Sequence, residues 1–543
     1  MEFTELAHDR LLHELDLPRQ QHADDVLAQA QKQQQLQELT PSTSTDSLDE
    51  HSPLLPATAT AIAIADALLS AEEQQAVHAD ERLSTWEIVR VEWRLLARLS
   101  APMMAAGLLD VMPEVVLNIM AGRLSESAST QYIAALSLAS LFQVFVTDSV
   151  VNGFSSAMDT RCSQAFGAGR LVELWLFVQA GALLFAACLL PMVAVLLSGG
   201  PILRALGQDA AIAAIAGSML VRYACAIPFS MAYATMKSAL QAQNIAAPFM
   251  AASLLAWPVS GVSAYLLAYH TPLGIVGVAM ASPISWCVKS LVLAPVLLRN
   301  RVFLGAWPGW QLTEALGLAP RLARLGISSV LMINSQMIGF GSISLLAGLL
   351  PNASVMMSAN GILVSLLALS IMPLMAFCVA TAIRIGNALG AGQARRAALL
   401  SRVVLLSSFG IALAAAVVMG IAATTYAGLF TSDVDATREA SALIHKLLAM
   451  VPILGLMLGL QGIFRACGKQ LLCAQFNFAF MFVLGMPLGL LFALRFDAGV
   501  TGLWVGHSAG IVVFLAAGLL WLGRLDWPAM AHDAKHSTHV QIG

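Results

Sequence analysis

The chain has 543 residues, 58% of them hydrophobic and only 11% charged, where soluble domains carry roughly 25% charge. That composition excludes a soluble fold for most of the length. The formal net charge is −3 and the basic residues are scattered at the ends of apolar runs, so a nucleic-acid partner has no footprint.

Residues 1–98 hold much of the acidic, basic and Gln content and are expected to form a cytosolic tail. The opening MEFTELAHDRLLHELDLPRQ has no basic run followed by an apolar core, so no cleaved signal peptide is expected. Residues 20–50, rich in Gln, Ser, Thr and Asp, offer little apolar surface against chain entropy and read as disordered. Within LDEHSPLLP (48–56), Glu50, Leu54 and Leu55 resemble an acidic dileucine signal read by clathrin adaptors. Such a signal sends a membrane protein to endosomes, lysosomes or a vacuole; without it the plasma membrane is the alternative.

A spanning helix needs about 20 mostly apolar residues, and that ruler gives twelve segments: 99–121, 132–155, 172–197, 214–236, 248–270, 273–298, 325–350, 355–380, 401–425, 441–464, 474–496 and 499–523. The expected fold is an all-α membrane protein: a tail (1–98), a first six-helix lobe (99–298), a linker (299–324), a second six-helix lobe (325–523) and a C-terminal tail (524–543). Lys and Arg concentrate after even-numbered spans, at Arg161, Arg170, Lys237, Arg299, Arg301, Arg321, Arg324, Arg384, Arg395, Arg396, Arg465 and Lys469. The opposite loops hold Arg123, Arg204, Arg438 and Arg495. Positive residues mark the cytosolic side, which puts both termini there and the sequon Asn352-Ala353-Ser354 on the other face.

The chain repeats itself. RCSQAFGAGR begins at Arg161 and RIGNALGAGQ at Arg384, so R-x-x-x-A-x-G-A-G recurs at an offset of 223 (384 − 161), carrying Gly167 and Gly390. GIVGVAM at Gly274 and GVTGLWV at Gly499 recur at 225 (499 − 274). Two halves of the same topology follow, related by an axis along the membrane normal, a transporter architecture.

In LLDVMPEVVLNIMAGRL (108–124), Asp110 and Glu114 interrupt the first span, where a carboxylate costs on the order of 2.5–3.5 kcal/mol on insertion scales. Asp110, Glu114 and Asn118 are spaced by four and share a helix face. Pro113 lies between the two acids and removes one hydrogen bond. Burial and a second carboxyl both raise a carboxyl pKa, which suits a proton site. The competing reading of Asp110 is an acid that reaches the cytosolic interface or pairs with Arg98; that of Glu114 is a structural pair. Asp148 in span two is either a third coupling carboxylate or a polar contact within the lobe. Asp159, beside Arg161 at a helix end, reads mainly as structural. Gln241, Gln243 and Asn244 close span four, and Asn334, Gln336, Asn477 and His507 lie in later spans; they serve either helix–helix hydrogen bonds or a substrate cavity. Lys289 and Lys446 are expected to extend to an interface. The 24 Met and 22 Phe suit soft, adaptable walls, or are ordinary lipid-facing filler.

There is no G-x-x-x-x-G-K-[ST] loop, no H-E-x-x-H and no G-x-S-x-G. No enzymatic activity, cofactor or metal site is therefore expected, and drive must come from an ion gradient or the substrate's own. Cys162, Cys188, Cys225, Cys287, Cys378, Cys467 and Cys473 form no C-x-x-C pair and read as small apolar residues.

The stretches GFSSAMDTRCSQAFGAG (153–169), SALQAQN (238–244), LLAGLLPN (345–352), RIGNALGAG (384–392), LFTSD (429–433), RACGKQ (465–470) and GVTGLWVG (499–506) resemble, in order, segments of the eukaryotic branch of the multidrug and toxic compound extrusion (MATE) family, from about Arg98 to Trp527. The resemblance implies two six-helix lobes in a V around a central cavity. It also implies proton- or sodium-coupled export of organic cations, xenobiotics or related metabolites. Asn118 matches a position where bacterial relatives often carry Asp, and bending of the first span is what those relatives suggest for proton coupling. Two departures stand out: the seventh-span carboxylate is replaced by Gln336 or Gly341, and Leu454 stands where many relatives have an acid. No span from 325 to 523 has an interior Asp or Glu. Coupling is therefore expected to rest on the first lobe. A lipid-linked sugar flippase of the same superfamily would want a basic cavity, and the spans show no Arg cluster. A non-transporting receptor or scaffold is the remaining alternative.

Overall fold

The computed structural model describes residues 82–124, 129–300, 304–348, 350, 353–430 and 434–538. Glu50, Leu54 and Leu55, Asn352 of the sequon, and the side chains of Glu114 and Asn118 lie outside the described residues. Among those described the fold is all helical.

Helix α1 (Thr85–Arg123) begins well before the expected span. Ser84 caps it, its hydroxyl accepting from the Glu87 amide at 3.2 Å while the Ser84 amide donates to Glu87 Oε2 at 2.9 Å, a reciprocal cap that satisfies two orphan donors. Those hydrogen bonds lower the Glu87 pKa, so the cap is intact at neutral pH and lost as pH falls through the depressed value. Ile88, Glu92, Leu96 and Leu99 are all buried. This helical face docks residues 85–98 onto the bundle instead of leaving them in the tail.

The second span is α2 (Ser129–Gln143), a π-helical turn (Val144–Asp148) and α3 (Ser149–Gly167). Helix α4 (Leu171–Leu197), the short α5 (Gly199–Ala205), α6 (Ala210–Tyr223) and α7 (Ile227–Ala242) follow, then α8 (Ala247–Tyr269), α9 (Ile275–Ala279) and α10 (Ala281–Arg299). The second half comprises α11 (Leu312–Ala347), α12 (Ala353–Gly390), α13 (Ala394–Phe430), α14 (Val434–Leu447), α15 (Met450–Ala466), α16 (Gln470–Phe476), a π-helical stretch (Asn477–Gly485), α17 (Met486–Arg495), α18 (Gly499–Gly523) and α19 (Trp527–Thr538). Helix thus replaces part of the expected linker, from Leu312, and part of the expected C-terminal tail. In the latter, α19 is tied down where Arg170 donates to the Lys535 carbonyl at 3.0 Å.

Among the described residues, ten helices are long and apolar enough to cross a membrane, or eleven if α14 and α15, bent by 55°, form one span. The remaining expected span, 99–121, lies inside the continuous α1, whose middle carries Asp110 and Glu114.

The two halves meet through residues that the repeat relates. A Cβ on Gly167 would collide with the Asn387 carbonyl oxygen, and one on Gly390 with that of Gln164. Both 390 − 167 and 387 − 164 are 223, the offset of the sequence repeat, so each contact is the other's image. Gly386 and Ser163, also 223 apart, face each other directly, a Cβ on Gly386 falling on Ser163 Oγ. Two residues related by a two-fold touch only on its axis, so the axis passes between them. Toward mid-bundle Gly107 faces Met372 and Ala376, and Gly153 faces Val330; 330 − 107 and 376 − 153 are again 223. Gly169 and Gly392, at φ 72° and 73°, end the repeated motif in the left-handed conformation that only Gly adopts without penalty.

Candidate functional site

Three polar groupings occupy the bundle. The first lies within the first half. Asp110 on α1 accepts from Lys289 Nζ on α10 at 2.7 Å; the carboxylate side chain is 41% exposed and the lysine 8%. Lys289 and Trp286 are three residues apart and share a face of α10, which puts the ammonium 4.7 Å from the Trp286 ring centroid. Trp286 stands edge-on to Tyr233 of α7, their centroids 5.5 Å apart. Neither expected partner of Asp110 is realised: the carboxylate pairs with Lys289 and not Arg98, and Lys289 turns inward. The reason is energetic, since an ammonium this far from either helix end is better placed on a carboxylate than stretched toward water.

The second grouping is at the end where the repeated loops meet. Asp159 is 2% exposed. It accepts from Ser238 Oγ at 2.7 Å and Gln241 Nε2 at 2.6 Å, and Arg465 of the second half lies 3.9 Å away. Arg161, expected beside Asp159, donates to Gln164 Oε1 instead. Gln241 is fully buried and so belongs to this network, not to an open cavity wall. Thr160 donates to the Arg465 carbonyl at 2.9 Å, Gln164 to the Ala466 carbonyl at 3.0 Å, and Gln470 to Thr160 Oγ1 at 3.1 Å. Opposite, Glu92 of α1, 1% exposed, is bound by Arg384 at 2.6 Å with Arg396 at 3.5 Å. Arg384 also donates to Asn244 Oδ1 at 3.0 Å. Two buried ion pairs, each joining the halves, clamp this end. In the loop between α15 and α16, burial pushes the Cys467 thiol up to about 12, which disfavours its thiolate.

The third grouping belongs to the second half. Asn477 is fully buried, donates to the Met332 carbonyl at 3.2 Å and faces Gln461 at 3.5 Å. His507 is fully buried with no hydrogen-bond partner among the described residues on either ring nitrogen. It packs on Phe340 and Trp504 and lies against Gly339. Gln336, 3% exposed, has an unpartnered Nε2, and Asn334 an unpartnered Oδ1. Asn477 and His507, expected in a cavity wall, are thus enclosed by packing. Asp148 ends the π-helical turn of span two, apart from these groupings, with Gln143 Nε2 at 3.5 Å.

Reading the sequence missed Lys289, Trp286, Tyr233, Glu92 and Arg396 as members of these sites. The signal for Lys289 was present: an ammonium in SWCVKSLVL is as costly as the acids of span one and opposite in sign. Lys237, assigned to a loop, lies within α7, half-buried and within electrostatic range of Asp159 and Asp110.

Residues 102–266 and 328–491 each match the MatE family model, one stretch in each half. The chain belongs to the MatE family. This MatE chain is 29% identical over 457 residues to multidrug and toxin extrusion protein 1 of Oryctolagus cuniculus, covering 83% of the chain and 78% of that protein. It is 28% identical over 450 residues to protein DETOXIFICATION 38 of Arabidopsis thaliana, covering 82% and 87%. The fold superposes on the crystal structure of the eukaryotic MATE transporter AtDTX14 with a TM-score of 0.76 at 23% identity, over 83% of this chain and all of that one. It also superposes on the Vibrio cholerae MATE transporter VcmN in the bent form, with a TM-score of 0.67 at 19% identity, over 83% and 99%. The protein is a multi-pass membrane transporter of this family, with the fold that the motifs implied.

Proposed function

We propose that this MatE transporter is a secondary antiporter that exports organic cations, xenobiotics or related metabolites from the cytosol in exchange for protons, using carboxylates of its first half. One observation carries the reading: Asp110 is a partly exposed carboxylate in span one, paired with Lys289, whereas no second-half span has an interior Asp or Glu. A cation or a proton on Asp110 changes the charge balance of the pair, and a transporter moves between states only if its ligands bind those states unequally. The relatives' names, multidrug and toxin extrusion, support the substrate class. Glu114, on the same helix face as Asp110, is the second coupling carboxylate, and Asp148 the third. Gln336, Asn334 and Asn118 supply uncharged polarity to the substrate path. Both termini face the cytosol, and the dileucine pattern at Glu50, Leu54 and Leu55 favours an internal acidified compartment over the plasma membrane.

The test is uptake of a fluorescent organic cation into proteoliposomes under an imposed pH gradient and, separately, a sodium gradient. Glu114→Gln is expected to abolish pH-driven uptake, Asp110→Asn to weaken it severalfold, and Gln336→Glu to shift its pH optimum by adding a titrating group. Full pH-driven uptake in a Glu114→Gln, Asp110→Asn double variant refutes first-half coupling, and drive by sodium alone replaces the proton with sodium.

A further inference from the structure

The Asp110 grouping is built as a recognition site for an ammonium group. It has one carboxylate, 41% exposed, and one Trp face 4.7 Å from the bound cation. The Tyr233 ring abuts that Trp edge-on. A carboxylate beside aromatic faces is the chemistry that holds organic ammonium ions, through charge and through the ring quadrupole. The cation that occupies it belongs to the chain itself. Lys289, only 8% exposed, takes Asp110 Oδ1 at 2.7 Å, while the carboxylate itself stays 41% exposed.

We propose that Lys289 is a tethered competitor at this site: its ammonium occupies the Asp110–Trp286 cation site at rest, and an organic ammonium substrate binds by displacing it. The inference rests on the cation-export reading, because it names the residue against which such a substrate competes. A tethered competitor lowers apparent affinity by the fraction of time that the site is free. It also keeps Asp110 neutralised when no substrate is present, which spares the bundle an unpaired carboxylate. A purely structural ion pair makes the opposite forecast, since removing Lys289 would then loosen the α1–α10 contact and gain nothing for a ligand.

The experiment is equilibrium binding of tetraethylammonium to the purified full chain in nanodiscs, by titration calorimetry at fixed pH with no gradient. The parent is compared with Lys289→Gln, Lys289→Met, Lys289→Arg, Asp110→Asn and the Lys289→Gln, Asp110→Asn double variant. Lys289→Gln and Lys289→Met are expected to tighten binding on the order of tenfold, for a site free about a tenth of the time in the parent. Lys289→Arg, which keeps a tethered cation, is expected to bind like the parent, and both variants lacking the carboxylate to bind severalfold more weakly than the parent. The proposal is overturned if both neutral variants bind no tighter than the parent, if Lys289→Arg tightens as they do, or if tight binding survives in the double variant. Because no gradient is applied, a failure of proton coupling in vesicles leaves this measurement standing, and the reverse also holds.

Discussion

His507 is a large polar side chain with no exposed surface and no partner on either ring nitrogen. An unsatisfied buried polar group costs about 1–3 kcal/mol, and the neighbours of this one are the rings of Phe340 and Trp504. His507→Phe keeps the ring packing and removes the two orphans, so it is expected to raise the melting temperature by several degrees in differential scanning fluorimetry of the purified protein. A lower melting temperature would show that the imidazole is satisfied by a bound group. Asn477 is the contrast: equally buried, but engaged at both ends of its amide by Met332 and Gln461, so Asn477→Leu is not expected to stabilise. Polar residues alike in a hydropathy reading differ in worth by whether a neighbouring helix offers a partner.

Helices α3 and α12 meet across the two halves, and their glycines differ in what stands opposite. At Gly390 a Cβ meets the backbone of Gln164; at Gly386 it meets the Ser163 hydroxyl, the end of a small side chain. Backbone cannot give way without moving a helix, whereas a hydroxyl can be removed. Gly390→Ala is therefore expected to reduce the yield of monodisperse protein sharply, and no single partner substitution should restore it. Gly386→Ala should be milder and be largely rescued by Ser163→Ala. The measurement is fluorescence-detected size-exclusion chromatography of the three variants and the parent. Equal damage at both glycines, with no rescue, would mean that the halves do not meet as described. The motif R-x-x-x-A-x-G-A-G showed that the two segments were alike; only their packing showed that they are each other's partners.

Among the described residues, buried charge other than Lys289 concentrates where the halves are clamped. Glu92 with Arg384 and Arg396, and Asp159 with Arg465, tie α1, α3, α12, α13 and α15 at one end, and the hydrogen bonds that cross between the halves gather there as well. Removing one partner of a buried pair leaves an uncompensated charge at about 3–5 kcal/mol, so each pair resists separation of the halves at that end. If Glu50, Leu54 and Leu55 form an adaptor signal, a Leu54→Ala, Leu55→Ala variant with a fluorescent tag should move from internal compartments to the cell surface while purified variant protein keeps its transport rate. An unchanged distribution would make the pattern a coincidence.

The sequence by itself determined the apolar segments, the repeat at 223 residues, the family and the restriction of span-interior acids to the first half. Each of these is written locally: a window of about 20 residues decides whether a segment can leave water, and a motif of nine residues decides a repeat. The same local reading placed residues 85–98 and 312–324 outside helices, because amphipathic turns that dock on a bundle are not apolar enough to look like spans. What the tertiary structure decided is which polar group answers which. Lys289 is 179 residues from Asp110, and nothing in either segment names the other. The pairing follows from the rotation of α1 and α10 about their axes once their apolar faces are packed. The rotations of the other helices likewise put Gln241 of α7 on Asp159 of α3 and left His507 of α18 without a partner among the described residues, because helix packing fixes directions that hydropathy does not encode.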